Sequence, residues 1–324
     1  MKRNFEYSVN TPVEIPAHKG WPATVHCFDE DTVPALYAAE AAGRPLLIRG
    51  ETGTGKSQTA RAAAVCAGRP FLSHVINGRT EAPDLKFRFD AVARLAAAQA
   101  RKSGDPELRP ERDFVRPGVL WWAYNWDQAL AHNADRPSPF YKPDSWDWRS
   151  NRAVLLIDEI DKADPEVPNA LLDVLGNSGF QVPYGPIDVE CAERARQPLV
   201  IITTNDEREL PGPFLRRCLV LHISMPEGAA LEEYLVQRGK AHQQLELREH
   251  AREGKCVILE PAARALVRVR AELGREGYRP GVAEYLDLTA MLANLWPDNE
   301  IEQTRQLERL MSFVTRKTAE EIRA

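Results

Sequence analysis

The run Gly50-Glu51-Thr52-Gly53-Thr54-Gly55-Lys56-Ser57 constrains this chain more than any other feature. It satisfies G-x-x-x-x-G-K-[ST] in full, follows the apolar run Leu46-Leu47-Ile48 and leads into a helical pattern over residues 58–67. Strand, glycine-rich turn and helix in that order form the context a phosphate-binding loop requires. The glycines let the backbone curl so that successive N–H groups face the phosphates, and the helix turns its positive end toward them. Lys56 is expected to reach the β- and γ-phosphates, and Ser57 to coordinate Mg2+.

The surrounding sequence repeats the alternation. Apolar runs at 45–48, 70–76, 154–157 and 199–203 are separated by helical patterns, which predicts a parallel sheet covered by helices. Leu155-Leu156-Ile157 and Val200-Ile201-Ile202 are apolar without alternation, as strands buried on both faces should be. Beyond Pro226 the character changes to charged sequence of helical period, with Leu231, Leu235, Leu266, Val269, Leu286, Leu288 and Leu292 as candidate buried positions. The predicted fold is α/β, a three-layer P-loop NTPase sandwich around a central parallel sheet over 43–225. A lead-in with a first helix (1–42) precedes it, and a small all-helical lid domain (226–324) follows. The charged, proline-rich tracts at 102–117 and 135–152 read as excursions from the core layer. The second tract interleaves Pro137, Pro139 and Pro143 with Phe140, Tyr141, Trp146 and Trp148.

A P-loop alone does not establish hydrolysis, so the run Val154-Leu155-Leu156-Ile157-Asp158-Glu159 carries more mechanistic weight. A buried strand ending in two acids can place Asp158 where it holds magnesium through water and leave Glu159 to polarise the attacking water. In isolation the pair would read as a solvated strand end; the P-loop upstream reverses that preference. Asn205 ends another buried run. If that strand lies between the P-loop strand and the Asp158 strand, its amide can contact both the γ-phosphate and the lytic water without adding charge. A turn or helix cap fits Thr204-Asn205-Asp206 equally well. Arg216-Arg217 offer guanidinium groups matched to a phosphoryl transition state, though alone they would read as a solvated or salt-bridged pair.

Composition narrows the classes. A formal charge of -5 and a pI near 5.9 give no electrostatic reason to expect general binding to nucleic acid or anionic membrane, although a local basic patch stays open. The five cysteines are scattered and never spaced C-x-x-C, which argues against a disulfide framework or a zinc site. No segment approaches a membrane span and no apolar stretch follows the basic start, so the expectation is a cytoplasmic protein with reduced thiols.

Taken as an ordered set, GETGTGKS, VLLIDEID, IITTN and PFLRRC resemble an AAA+ ATPase, and more narrowly the MoxR-like branch of the helix-2-insert group. The narrower resemblance rests on Asp158-Glu159-Ile160-Asp161-Lys162-Ala163 running into Pro168-Asn169-Ala170-Leu171-Leu172, and on the run from Asp84 through Asp90. It implies ATP and Mg2+ as cofactors, with Lys56, Ser57 and the rest of the loop as ligands. Asp158 and Glu159 would form the Walker B pair and Asn205 sensor 1. Arg217 would be an arginine finger, with Arg216 as assistant or alternative. A second sensor arginine is best matched by Arg279 in Tyr278-Arg279-Pro280-Gly281, where proline follows the arginine rather than preceding it. The bland alternative for Arg279 is a solvent-facing arginine at a helix start. Such proteins act as rings, usually hexameric.

The same resemblance implies an inserted β-α-β element at about 78–135, carrying Phe87, Phe89, Arg94 and Gln99, and a hairpin before sensor 1 at about 176–198. These elements either touch substrate or are partly buried structure. Trp121, Trp122, Trp126, Trp146 and Trp148 read as an added loop packed on the core, with a partner patch as the other reading. The leading functional expectation is a chaperone-like remodeller of a protein partner, suspected to contain a von Willebrand A-type domain. The alternatives are a motor or regulatory subunit of a nucleic-acid-targeting restriction or antiphage complex, and a nucleotide-gated scaffold.

Overall fold

The computed structural model describes residues 6–18, 20–100, 108–136, 138–140, 142–143, 146–147, 153–191, 197–249, 254–273 and 279–315. Tyr141, Trp148 and Tyr278 lie outside them. In chain order the elements begin with β1 (Pro12–Ile15), β2 (Thr24–Cys27), α1 (Thr32–Ala42), β3 (Leu46–Arg49), α2 (Lys56–Cys66) and β4 (Phe71–Val75). Then come α3 (Ala82–Lys86), β5 (Phe87–Phe89), α4 (Ala91–Gln99), β6 (Val115–Pro117), α5 (Val119–Tyr124), α6 (Trp126–His132) and β7 (Val154–Asp158). The remainder is α7 (Glu166–Asn177), β8 (Gly179–Val182), β9 (Ile187–Glu190), β10 (Leu199–Thr204), α8 (Gly212–Arg217), β11 (Leu219–His222), α9 (Ala229–Glu249), α10 (Leu259–Glu272), α11 (Val282–Leu295) and α12 (Glu300–Thr315).

Two compact units arise from this order. The first comprises, among the described residues, Glu6 and Tyr7, then Glu30–Arg49 and Ala63–His222. Its core is a five-stranded parallel sheet in the order β11-β3-β10-β7-β4. Leu46, Leu47, Ile48, Leu155, Leu156, Ile157, Ile201 and Ile202 are fully buried, as the absence of polar alternation in these strands requires. β10 pairs with β3 on one side and β7 on the other, the arrangement on which the reading of Asn205 depends. α1 packs on β3 and β11 and ends at Gly43, whose left-handed conformation (φ 63°) returns its N–H to Ala39 O.

Trp121, Trp122 and Trp126 are buried in helices of the core, and Trp146, outside any helix or strand, is buried against them. All six residues of α5 are buried and the helix packs on β4 and β7, because Val-Leu-Trp-Trp-Ala-Tyr has no polar face to give to water. Trp126 bridges Trp122 and Trp146 through edge contacts at 5.1 and 5.0 Å. Between β4 and β7, β5 and β6 pair antiparallel with α4 between them, and β8 and β9 form a second antiparallel pair before β10. Tyr184, in the turn of that hairpin, stacks on Phe89 at 4.3 Å and meets Phe87 edge-on at 5.9 Å. These aromatics pack on one another, which is the structural one of their two readings.

The second unit comprises Ser8–Asp29, Gly50–Ala62 and the chain from Ile223 onward. Its core is helical: Leu231, Leu235, Leu266, Leu288 and Leu292 are at most 2% exposed, while Val269 and Leu286 are half-buried against them. Gln303 is fully buried and satisfied, accepting from Val257 N–H and donating to Lys255 O and Trp296 O. The antiparallel pair β1–β2 was not foreseen within the lead-in. Its Val25 packs against Ala241 and Leu245 of α9. A central parallel sheet flanked by helices, followed by C-terminal helices, is the predicted architecture and fits a P-loop NTPase domain with a helical domain after it. All five cysteines are free. No helix among the described residues is long and apolar enough to cross a membrane.

Two imidazoles in this second unit are held neutral. Desolvation, with Arg238 nearby, pushes His26 down to about 3 and His242 to about 4. Below the unfolded imidazole value near 6.5, an unfolded chain takes up protons that the folded one refuses, so stability is full above about pH 6.5 and is lost as pH falls toward 4. Urea midpoints measured across that window should decline, and the double variant His26→Gln/His242→Gln should decline less steeply. An unchanged slope would remove these imidazoles as the cause.

Candidate functional site

The loop leaving β3 is shaped by its glycines. Gly50, Gly53 and Gly55 adopt φ of 153°, 80° and 88°, which side-chain-bearing residues rarely reach. A Cβ on Gly50 would stand 2.3 Å from Ile223 O, so the position is sterically reserved for glycine. Lys56, at the start of α2, folds its buried ammonium back under the curl, donating to Gly50 O at 2.7 Å and Glu51 O at 2.8 Å. The Thr54 hydroxyl donates to the same Glu51 carbonyl at 2.9 Å. Thr52 is exposed and Ser57 lies in the first turn of α2. A buried ammonium, a helix N-terminus and a glycine curl are the donor set a magnesium-bound triphosphate takes, so these residues fit one.

Two arginines meet the Glu51 side chain. Arg279, just ahead of α11, has its NH1 3.4 Å from Glu51 Oε1, and its side chain is only 17% exposed, so it does not face solvent freely. Arg270 of α10 was not singled out from sequence. It donates to Glu51 Oε2 at 2.5 Å and to Pro280 O at 2.9 Å. A usable signal existed: Leu259, Ala262, Ala263, Leu266 and Arg270 share one helical face, and a charge on an apolar stripe needs a partner.

The acidic strand end lies in the first unit. Asp158 closes β7 and is buried. Thr203 of β10 ties it down: its hydroxyl donates to Asp158 Oδ1 at 2.5 Å and accepts from Glu159 N–H at 2.9 Å. Glu159 follows in the left-handed region at φ 60°, a strained conformation costing about 1–3 kcal/mol, which turns its side chain away from the line of the strand. Its carboxylate is bracketed by Lys162 Nζ at 2.7 Å and Asn205 Nδ2 at 3.4 Å. The hydrogen bond to Glu159 raises the Lys162 ammonium above the usual lysine value. Asn205 is fixed in turn by Asp161, whose Oδ2 accepts from Asn205 N–H at 3.1 Å and Glu207 N–H at 3.0 Å. Asn205 is therefore aimed at Glu159 rather than serving only as a turn or cap. Thr203, Asp161 and Lys162 carried no assigned role from sequence. The one hint for Thr203 is a pair of threonines closing an apolar strand.

Arg216 and Arg217 are exposed in the last turn of α8. Their backbone is held by Arg44, which donates to Arg217 O and Cys218 O at 3.1 Å each, and to Arg216 O. A guanidinium on these carbonyls satisfies the end of a short helix and its negative pole.

Replacing Thr203 by isosteric valine leaves a buried carboxylate oxygen and a backbone N–H without the hydroxyl between them. The expected loss is about 1–3 kcal/mol of stability in urea denaturation. An unchanged midpoint would show that the hydroxyl bridge is dispensable.

A family model described as AAA domain (dynein-related subfamily) matches residues 45–218, more than half of the chain. A search of curated proteins finds no match. The matched segment opens at β3 and closes just past Arg217, so it takes in the P-loop, the acidic strand end, Asn205 and both arginines of α8. The chain belongs to the AAA domain family, dynein-related subfamily, and is an ATPase of the AAA+ class.

Proposed function

We propose that this protein binds and hydrolyses ATP as a MoxR-like ring ATPase, hexameric and cytoplasmic, that remodels a protein partner. The observation carrying the hydrolytic reading is the Glu159 carboxylate, set off from Asp158 by a left-handed backbone and faced by the Asn205 amide. Lys56 and Ser57, with the backbone of Gly50 to Gly55, would hold the triphosphate, and Asp158 with Ser57 would hold Mg2+. The metal, when bound, supplies positive charge against the phosphate oxygens. Glu159 polarises the attacking water and Asn205 orients it; Arg279 answers the nucleotide from the lid. Arg217, assisted or replaced by Arg216, reaches a neighbouring subunit, so hydrolysis depends on assembly.

The MoxR-like refinement is supported by the β5–α4–β6 insert after β4 and by the β8–β9 hairpin before β10. On this reading the core runs over 43–225 and the lid over 226–324. A partner with a von Willebrand A-type domain rests on the resemblance alone.

Glu159→Gln should still bind ATP but turn it over at least ~100-fold more slowly, the order expected for loss of a positioned catalytic group. Near-normal turnover would remove Glu159 from the mechanism, while the trapped variant is the bait for identifying the partner. Stimulation of the wild type by DNA and by no protein would replace the remodeller with a nucleic-acid motor. Arg217→Ala should lose activity and partly regain it when mixed with Lys56→Ala subunits, which keep Arg217; no rescue in mixed assemblies would deny an arginine acting in trans.

A further inference from the structure

We infer that Glu51 is the counter-ion that sets how much anionic charge the P-loop accepts, holding Arg270 permanently and Arg279 exchangeably. This rests on the nucleotide-binding reading above and goes beyond it, because the motif asks nothing of the side chain at this position. The two arginines are held very differently. Arg270 is 4% exposed and spends its two terminal nitrogens on Glu51 Oε2 at 2.5 Å and Pro280 O at 2.9 Å. A guanidinium cannot shed its proton, so at that depth it needs the carboxylate wherever the lid is closed on the loop. Arg279 reaches Glu51 Oε1 only at 3.4 Å and Glu227 only at 3.7 Å; the Nε of each arginine is buried with no hydrogen-bond partner among the described residues. Charge-assisted contacts of full strength lie near 2.7–2.9 Å, so Arg270 makes one and Arg279 does not.

Arg279 also borders open space. Both arginines line a cleft of about 260 Å³ together with Glu227, Leu231 and Val267. Glu51 is in addition wired to the loop's own cation, since its carbonyl accepts from Lys56 Nζ. The Glu51 carboxylate, its negative charge already shared with Arg270, competes with an incoming phosphate for Arg279. The more anionic ligand wins that competition more often, so Glu51 biases the loop between tri- and diphosphate.

The test is calorimetric titration of the full chain with ATP and with ADP. Glu51→Gln removes the competitor and should raise the preference for ATP over ADP by about threefold to fivefold, the size of one partly exposed ion pair. Because that variant strands the Arg270 guanidinium, Glu51→Gln/Arg270→Met serves as a second form without a buried unpaired charge, and it should show the same gain. Adding Arg279→Ala to either should abolish the gain. An unchanged ratio, equal loss of both nucleotides in the double variant, or a gain that survives without Arg279 would overturn the inference. If the wild-type chain bound neither nucleotide, the ATPase reading would fall and this inference with it.

Discussion

Parallel pairing of β10 with β3 on one side and β7 on the other is the constraint on which the first unit depends. Three neighbouring strands running the same way must end at the same edge of the sheet. β3 ends at Arg49, β10 at Thr204, one residue before Asn205, and β7 at Asp158. Ligands of open α/β sheets bind beyond the carboxyl ends of their strands, where backbone donors converge. Burial of both sheet faces removes any freedom in this register, because a slip would drive Thr203 and Asp158 into Leu- and Ile-lined positions.

Charge is then distributed by short hydrogen bonds rather than by exposure to water. Thr203 holds the Asp158 carboxylate and the backbone N–H of Glu159 at once, so one hydroxyl bridges a side chain and the main chain of the next residue. Glu159 takes a left-handed backbone, and Lys162 with Asn205 limits where its carboxylate rests. The P-loop shows the same economy, with Lys56 turned onto loop carbonyls and Glu51 set against two arginines. In each case a strained or buried group is matched by a partner several residues or an entire domain away in sequence.

That separation explains what was legible. Gly50 to Ser57, Asp158, Glu159 and Asn205 announce themselves because each stands beside an apolar strand with a recognisable period and in a fixed order. The sheet followed from the same alternation, whereas the insert and the β8–β9 hairpin were expected only from the family resemblance. Arg270 was missed because one charge in a helix of mixed character resembles any surface arginine until the fold closes over it. The β1–β2 pair was missed because four-residue strands carry too little alternation to separate from loop. Trp121 and Trp122 lie in a helix rather than an added loop, which the sequence hid because a six-residue helix buried on all sides has no amphipathic period to display.

By itself the sequence determined the P-loop, the strands that frame it and the class of chemistry, because those depend on local backbone geometry and on residues adjacent in the chain. The tertiary structure alone decided which groups answer which charges: Thr203 for Asp158, Asp161 for Asn205, Arg44 for the end of α8, Arg270 and Arg279 for Glu51. Ion pairs and hydrogen bonds act over a few ångströms in space and are indifferent to distance along the chain, so they exist only once packing has brought their ends together.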